Sequence, residues 1–218
     1  MKSNLLAAST LGGVALLMAV VTPSRADVIY TDQAAFNAAV SSATVVTFNG
    51  LAPAGSFTSY GNGPLTQSGV TFTGNGSMYV LDPGYYGSSY ADGDYLNSDY
   101  SSPDIITVTF PASRAVGFNF GGLFGPATFS VTLSDGFTDS QATSNSITGT
   151  AALSFMGYTT STPITSIVIT MPDGPSYNAI DNFTIERLAV PEPATLGVIG
   201  IGLIALAGTR RKVYPRIS

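Results

Sequence analysis

Apolar and polar residues alternate in short bursts along most of the chain. DIITVTF puts Ile106, Val108 and Phe110 on one face and Thr107 and Thr109 on the other, the period-two pattern of a half-buried strand. Runs of the same kind recur as TVVTF, GVTFTG, SMYVL, RAVGFNF, ATFSVTL, AALSFMGY, ITSIVIT and NAIDNFTIERL, between clusters of turn-forming residues. Pro111, Pro126, Pro163 and Pro172 read as strand ends, because proline cannot donate to a ladder. VTLSDGFTD reads as a hairpin in which Asp135-Gly136 supplies the positive backbone dihedrals of a tight turn. A helical period shows in DVIYTDQAAFNAAV. After a short strand, Thr31 or Asp32 can cap a helix carrying Ala35, Phe36 and Ala39 on one side. About nine strands and one helix predict a mostly-β fold over residues 27–189, a single antiparallel β-sandwich of jelly-roll-like build.

The two ends break this rhythm. At the N-terminus Lys2 precedes an apolar stretch, Leu5 to Val21, and Ser24 and Ala26 place small residues before Asp27. That order predicts a secretory signal peptide over residues 1–26. Near the C-terminus, residues 194–209 are apolar and rich in Leu, Ile, Ala and Gly, a little short for a full membrane span. Arg210, Arg211 and Lys212 follow, and by the positive-inside rule would hold that end in the cytoplasm. Ahead of the run, Pro191 and Pro193 keep the chain extended and stop the helix from running back into the folded domain.

Composition narrows the chemistry. The chain of 218 residues has no His and no Cys, which excludes a Ser-His-Asp triad, a thiol nucleophile, a disulfide and zinc sites of the usual kind. Between residues 27 and 190 only Arg114 and Arg187 face twelve carboxylates, a formal charge of −10. Such a body repels phosphate backbones, so no nucleic-acid partner is expected. Oxygen ligands are plentiful, and the metal they suit is a hard cation such as calcium.

Val190-Pro191-Glu192-Pro193, the apolar run and the basic cluster Arg210, Arg211 and Lys212 together resemble the PEP-CTERM sorting signal of Gram-negative bacteria. The resemblance covers about residues 190 to 212; the further VYPRIS after the basic cluster departs from it. It implies export, transient anchoring in the inner membrane, and processing near the Pro-Glu-Pro motif by exosortase, a membrane protease-transferase. It also implies a place in the extracellular matrix, because such proteins tend to occur in bacteria that make exopolysaccharide and grow as biofilms.

Two places in the body are candidate sites. The segment LDPGYYGSSYADGDYLNSDYSSPD holds five tyrosines, several aspartates and no basic residue. One reading is a sugar-binding loop, in which Tyr85, Tyr86, Tyr90 and Tyr95 stack on pyranose rings while Asp92 and Asp94 accept hydroxyl hydrogen bonds. The other is a surface Ω-loop whose tyrosines pack on the sandwich. In AIDNFTIE, a regular strand puts Asp181 on the same inward face as Phe183 and Ile185, and a buried carboxylate must be paired, hydrogen-bonded or metal-bound. The segment resembles the closing strand of calcium-stabilised jelly rolls, which makes Asp181 and Asn49 candidate ligands of a structural calcium. Alternatively Asp181 sits at a bulge and accepts hydrogen bonds from backbone amides.

These readings favour an exported, non-enzymatic surface or extracellular-matrix protein associated with exopolysaccharide. A secreted carbohydrate-active hydrolase would use paired carboxylates, yet five of the body's twelve acids cluster in one loop, where divergent pKa values are hard to maintain. An uncleaved membrane-anchored surface domain differs only in the fate of the tail.

Overall fold

The computed structural model describes residues 27–86, 93–98, 103–122, 127–143, 153–171 and 178–188. The expected signal peptide and the tail from residue 190 lie outside these residues. In chain order the elements are β1 (Val28–Tyr30), α1 (Gln33–Ala39), β2 (Ala43–Val46), β3 (Phe57–Gly61), β4 (Leu65–Gln67), β5 (Val70–Gly74), β6 (Met78–Leu81), a 3-10 turn (Pro83–Tyr86), β7 (Tyr95–Ser98), β8 (Asp104–Gly122), β9 (Thr128–Leu133), β10 (Thr138–Ala142), β11 (Ser154–Met171) and β12 (Asn178–Glu186).

Two long strands organise the rest. β8 and β11 pair antiparallel from Ser154–Phe120 at one end to Met171–Asp104 at the other. The sequence pattern divides each at a proline, but Pro111 and Pro163 lie inside continuous strands. They mark a bend, not an end: the register slips between Thr159 and Ile164 and again between Ile164 and Ser166. Side chains hold the backbone where the ladder fails. The buried Ser113 hydroxyl accepts from the Glu186 N–H at 3.0 Å and donates to the Ala115 carbonyl at 2.6 Å. Across the bend Arg114 Nη1 donates to the Ser161 carbonyl at 2.6 Å.

The bend lets both strands serve two layers, one of the ways strands turn the corner of a sandwich. On one side of it, β5 and then β4 extend the sheet beyond β8, while β9 and β10 extend it beyond β11. On the other side β12, β7, β6 and β3 follow β8, β1 pairs with β11, and β2 pairs with the far half of β12. Aromatic rings bridge the layers. Phe72 of β5 meets Phe183 of β12 at 5.4 Å, and Phe120 of β8 meets Phe129 of β9 at 4.8 Å. All four are essentially fully buried. The expected mostly-β antiparallel architecture is therefore present. What alternation could not show is that both layers belong to one twelve-stranded hydrogen-bonded network among the described residues.

Local signals behave as expected in two places. Asp32 is the N-cap of α1, its Oδ1 accepting the Ala35 N–H at 2.7 Å. The β9–β10 hairpin turns at Gly136, whose φ of 93° is open to glycine and strained for other residues. The helix docks through Phe36 over the outer side of the second layer, where Gly117 and Gly157 pair with each other. A methyl group at Gly157 would come within 2.7 Å of the Phe36 ring, so the two glycines make the room the ring occupies.

Candidate functional site

The described surface carries one run of exposed aromatic rings, built from two strands and a turn. Phe57 and Ser59 point outward from the edge strand β3, while Tyr60 packs inward on the core. On the neighbouring β6, Val80 points into the core and Tyr79 to the outside. After β6, Asp82 folds the chain back: its Oδ1 accepts from Gly84 at 2.8 Å and from Gly55 at 2.9 Å, tying the 3-10 turn to the loop before β3. That turn presents Tyr85 and Tyr86. The rings then form a continuous edge-to-face chain. Phe57 lies 5.6 Å from Tyr79 and 5.3 Å from Tyr85, and Tyr85 lies 4.7 Å from Tyr86. Phe57, Tyr85 and Tyr86 remain 42%, 40% and 39% exposed. Edge-to-face contact fixes each ring with little entropy left to lose, and leaves ring faces open to water.

The candidate sugar-binding residues separate into three groups. Tyr85 and Tyr86 belong to the exposed run. Tyr90 and Asp92 lie outside the described residues. Asp94 and Tyr95 are buried, at 6% and 0% exposure, and so do not share that surface. Asp94 Oδ2 accepts the Ala52 N–H at 2.9 Å and so clamps the loop after β2. Tyr95 begins β7 and packs with Leu81 and Ala179. The expected long loop thus contains a strand, missed because all four of its residues are buried and show no alternation. Phe57 and Tyr79 were not candidates on sequence; only the β3–β6 pairing brings them to Tyr85.

Asp181 is buried as expected but on the other face of its strand. Ile180 belongs to the main core together with Phe183 and Ile185, an odd spacing that requires an extra residue. Asn182 supplies it, at φ 50°, where the β12–β8 register shifts between Asp181 and Thr184. Asp181 therefore falls on the outer side with Ala179, opposite Asn119 of β8, and its Oδ1 accepts the Asn182 N–H at 2.7 Å. Asn49 lies in the turn that follows β2. Its side chain lies against Gly93, so close that a Cβ there would collide with it. Among the described residues no three carboxylates gather in a metal-binding group.

At the C-terminus, residues 189–212 match the PEP-CTERM protein-sorting motif. This chain carries a PEP-CTERM sorting signal. The signal marks an exported protein that is sorted by way of a membrane and handled by exosortase-type machinery. Val190 to Pro193 and Arg210 to Lys212 lie within it, outside the described residues. No curated protein matches the chain in sequence. Similar solved structures include TmCBM61 in complex with β-1,4-galactotriose, at 17% identity and TM-score 0.36, covering 56% of this chain and 90% of that one. The K2 cleaved adhesin domain of Lys-gingipain gives 11% and 0.39, covering 67% and 100%. The CBM22-1 xylan-binding domain from Paenibacillus barcinonensis Xyn10C gives 15% and 0.37, covering 63% and 99%. At TM-scores this low the likenesses carry no weight for what this PEP-CTERM protein binds.

Proposed function

We propose that this PEP-CTERM protein is a non-enzymatic component of the cell surface or extracellular matrix, released by exosortase-type processing near Pro191–Pro193, and that it holds exopolysaccharide in a biofilm. The observation that carries the reading is the run of exposed Phe57, Tyr85 and Tyr86, backed by the half-buried Tyr79. Ring faces held in place at a surface suit the C–H faces of pyranose rings, which cover apolar area without demanding a charge partner. The body's formal charge of −10 disfavours a polyanion and favours a neutral polysaccharide. Tyr90 and Asp92 extend the same reading into the adjoining segment.

The test is made in the producing bacterium, with the wild-type chain and a Phe57→Ala/Tyr85→Ala variant. Intact mass is measured in the membrane and extracellular fractions, together with partition between polysaccharide-bound and free protein. A species running from Asp27 to about Pro193, bound as wild type and at least tenfold less bound in the variant, is the expected result. A membrane species retaining Arg210 to Ser218 sinks the processing step. Equal partition of the two proteins sinks the aromatic surface.

A further inference from the structure

A second feature of the surface stands apart from the aromatic run. Where the first turn of α1, the end of β10 and the start of β11 converge, they enclose an open cleft of about 410 Å³. That volume falls in the range of small-ligand sites, ~300–1,000 Å³. Its polar lining includes Gln33, Asn119, Gln141 and Ser154, with Phe155 on the apolar side. About four strand spacings, or roughly 20 Å, separate Asn119 on β8 from Phe57 on β3.

Asn119 is the unusual member. It is 9% exposed, and its Oδ1 has no hydrogen-bond partner. A buried amide oxygen left unpaired is costly, so a group of this kind calls for a reason. Its other amide atom, Nδ2, reaches only Gln33 Oε1, at 3.4 Å. That is longer than the usual 2.7–3.2 Å. Gln33 is a half-exposed side chain on the helix's first turn, free to swing aside and uncover the Asn119 amide.

The chemistry of the ligand follows from what surrounds this amide. Its O and N ends can be exchanged without changing the shape, and a hydroxyl, both donor and acceptor, satisfies either end. An anion finds no counter-charge. Asp32 lines the cleft, and Asp139 accepts from Gln141 at 3.0 Å. Arg114 and Arg187 are engaged elsewhere, on the Ser161 carbonyl and the Thr44 hydroxyl. Nor does the lining hold a cation, since Asp32 is its sole carboxylate and its Oδ1 caps the helix. We propose that this cleft is a binding site for an uncharged polyhydroxylated ligand of the size of a sugar residue, which pairs with the Asn119 amide in place of Gln33.

The cleft stands on its own geometry and does not depend on the aromatic surface. The test uses the full ¹⁵N-labelled chain in detergent, titrated with D-glucose, D-galactose and D-mannose to about 50 mM, well above a millimolar Kd, and with D-glucuronate as the charged control. Side-chain amide signals of Asn119, Gln33 and Gln141 report on the cleft, and ring signals of Phe57 and Tyr85 report on the aromatic run. A saturable shift of the Asn119 and Gln33 amides with at least one neutral hexose is expected, with a far smaller response to glucuronate. Asn119→Ala should abolish the Gln33 shift while melting like wild type, since it removes an unpaired buried group. Gln141→Ala, on the half-exposed edge strand, should weaken it about fivefold and serves if the first variant fails to fold. Silent cleft amides at every hexose overturn the proposal, whether or not the aromatic rings respond. An equal response to glucuronate overturns it as well.

Discussion

Phenylalanine and tyrosine do opposite work in two regions of this protein. Between the layers, Phe183 touches Phe72, Phe110 and Phe118, all at ring distances of 5.4–6.0 Å, and none of these residues is more than 6% exposed. At the β3 edge, Phe57 and Tyr85 meet edge-to-face at 5.3 Å, as Phe72 and Phe183 do inside, but with about two-fifths of their surface in water. Ring contact alone does not separate the regions; burial does. The inner set is explained by removing apolar area from water. The outer set forgoes much of that gain, which is why it is read as a surface for a ligand.

The sharpest way to break this contrast is to remove one ring from each region. Phe183→Ala should lose about 3–5 kcal/mol in urea denaturation, from lost transfer energy plus the cavity. Tyr85→Ala should lose under about 1 kcal/mol, so comparable losses would erase the distinction. Gly157→Ala tests the glycine-lined seat of Phe36. A methyl at 2.7 Å from that ring should cost about 1–3 kcal/mol by overpacking, and a wild-type midpoint would mean that the helix shifts freely.

Tyr158 joins the two regions of charge and core. Its ring packs with Phe137, and its hydroxyl donates to Asp139 at 3.1 Å. Burial chiefly, then the Asp139 charge and this hydrogen bond, raise its pKa well above the ordinary tyrosine value of about 10. The folded state therefore keeps the proton where the unfolded chain loses it. Stability from this group is fully present below about pH 10 and declines as pH rises further. Tyr158→Phe should cost about 1 kcal/mol at neutral pH and flatten that alkaline decline, as read from melts between pH 7 and 11. An unchanged slope would place the alkaline sensitivity elsewhere.

The smallest effect concerns Asp181. With its Oδ1 taken by the Asn182 amide, chelation by EDTA and addition of calcium should each leave Tm within about a degree. A calcium-dependent rise of several degrees, by linkage, would instead assign Asp181 and Asn49 to an ion.

How much was legible varies with how far each feature depends on distant residues. The sorting signal is linear, so its three parts can be read in order without any fold. The Asp32 cap and the Gly136 turn are local and follow from residue type. β7 has no alternation to read, because both of its sides are covered. β8 and β11 look like four strands because Pro111 and Pro163 punctuate them, and only the Ser113 and Arg114 hydrogen bonds across the bend show that the chain runs on. The face of Asp181 turns on the single left-handed residue Asn182, which composition does not reveal. The exposed aromatic run was half legible: Tyr85 and Tyr86 are neighbours in sequence, whereas Phe57 and Tyr79 join them through strand pairing.

The pairing of the first strands with the last has a consequence for the order of events during export. β1 closes on β11 through Val28–Thr159, and β2 on β12 through Val46–Phe183. Neither partner exists until nearly the whole body has been delivered, and contacts so far apart along the chain form late. The body must therefore wait, incompletely paired, until its last strand emerges, and that strand directly precedes the sorting signal. In the processing proposed above, a tail held at the membrane would keep the end of β12 beside the point of emergence while the first strands find it. Assembly is thus timed to the arrival of the C-terminus, not to the start of translocation.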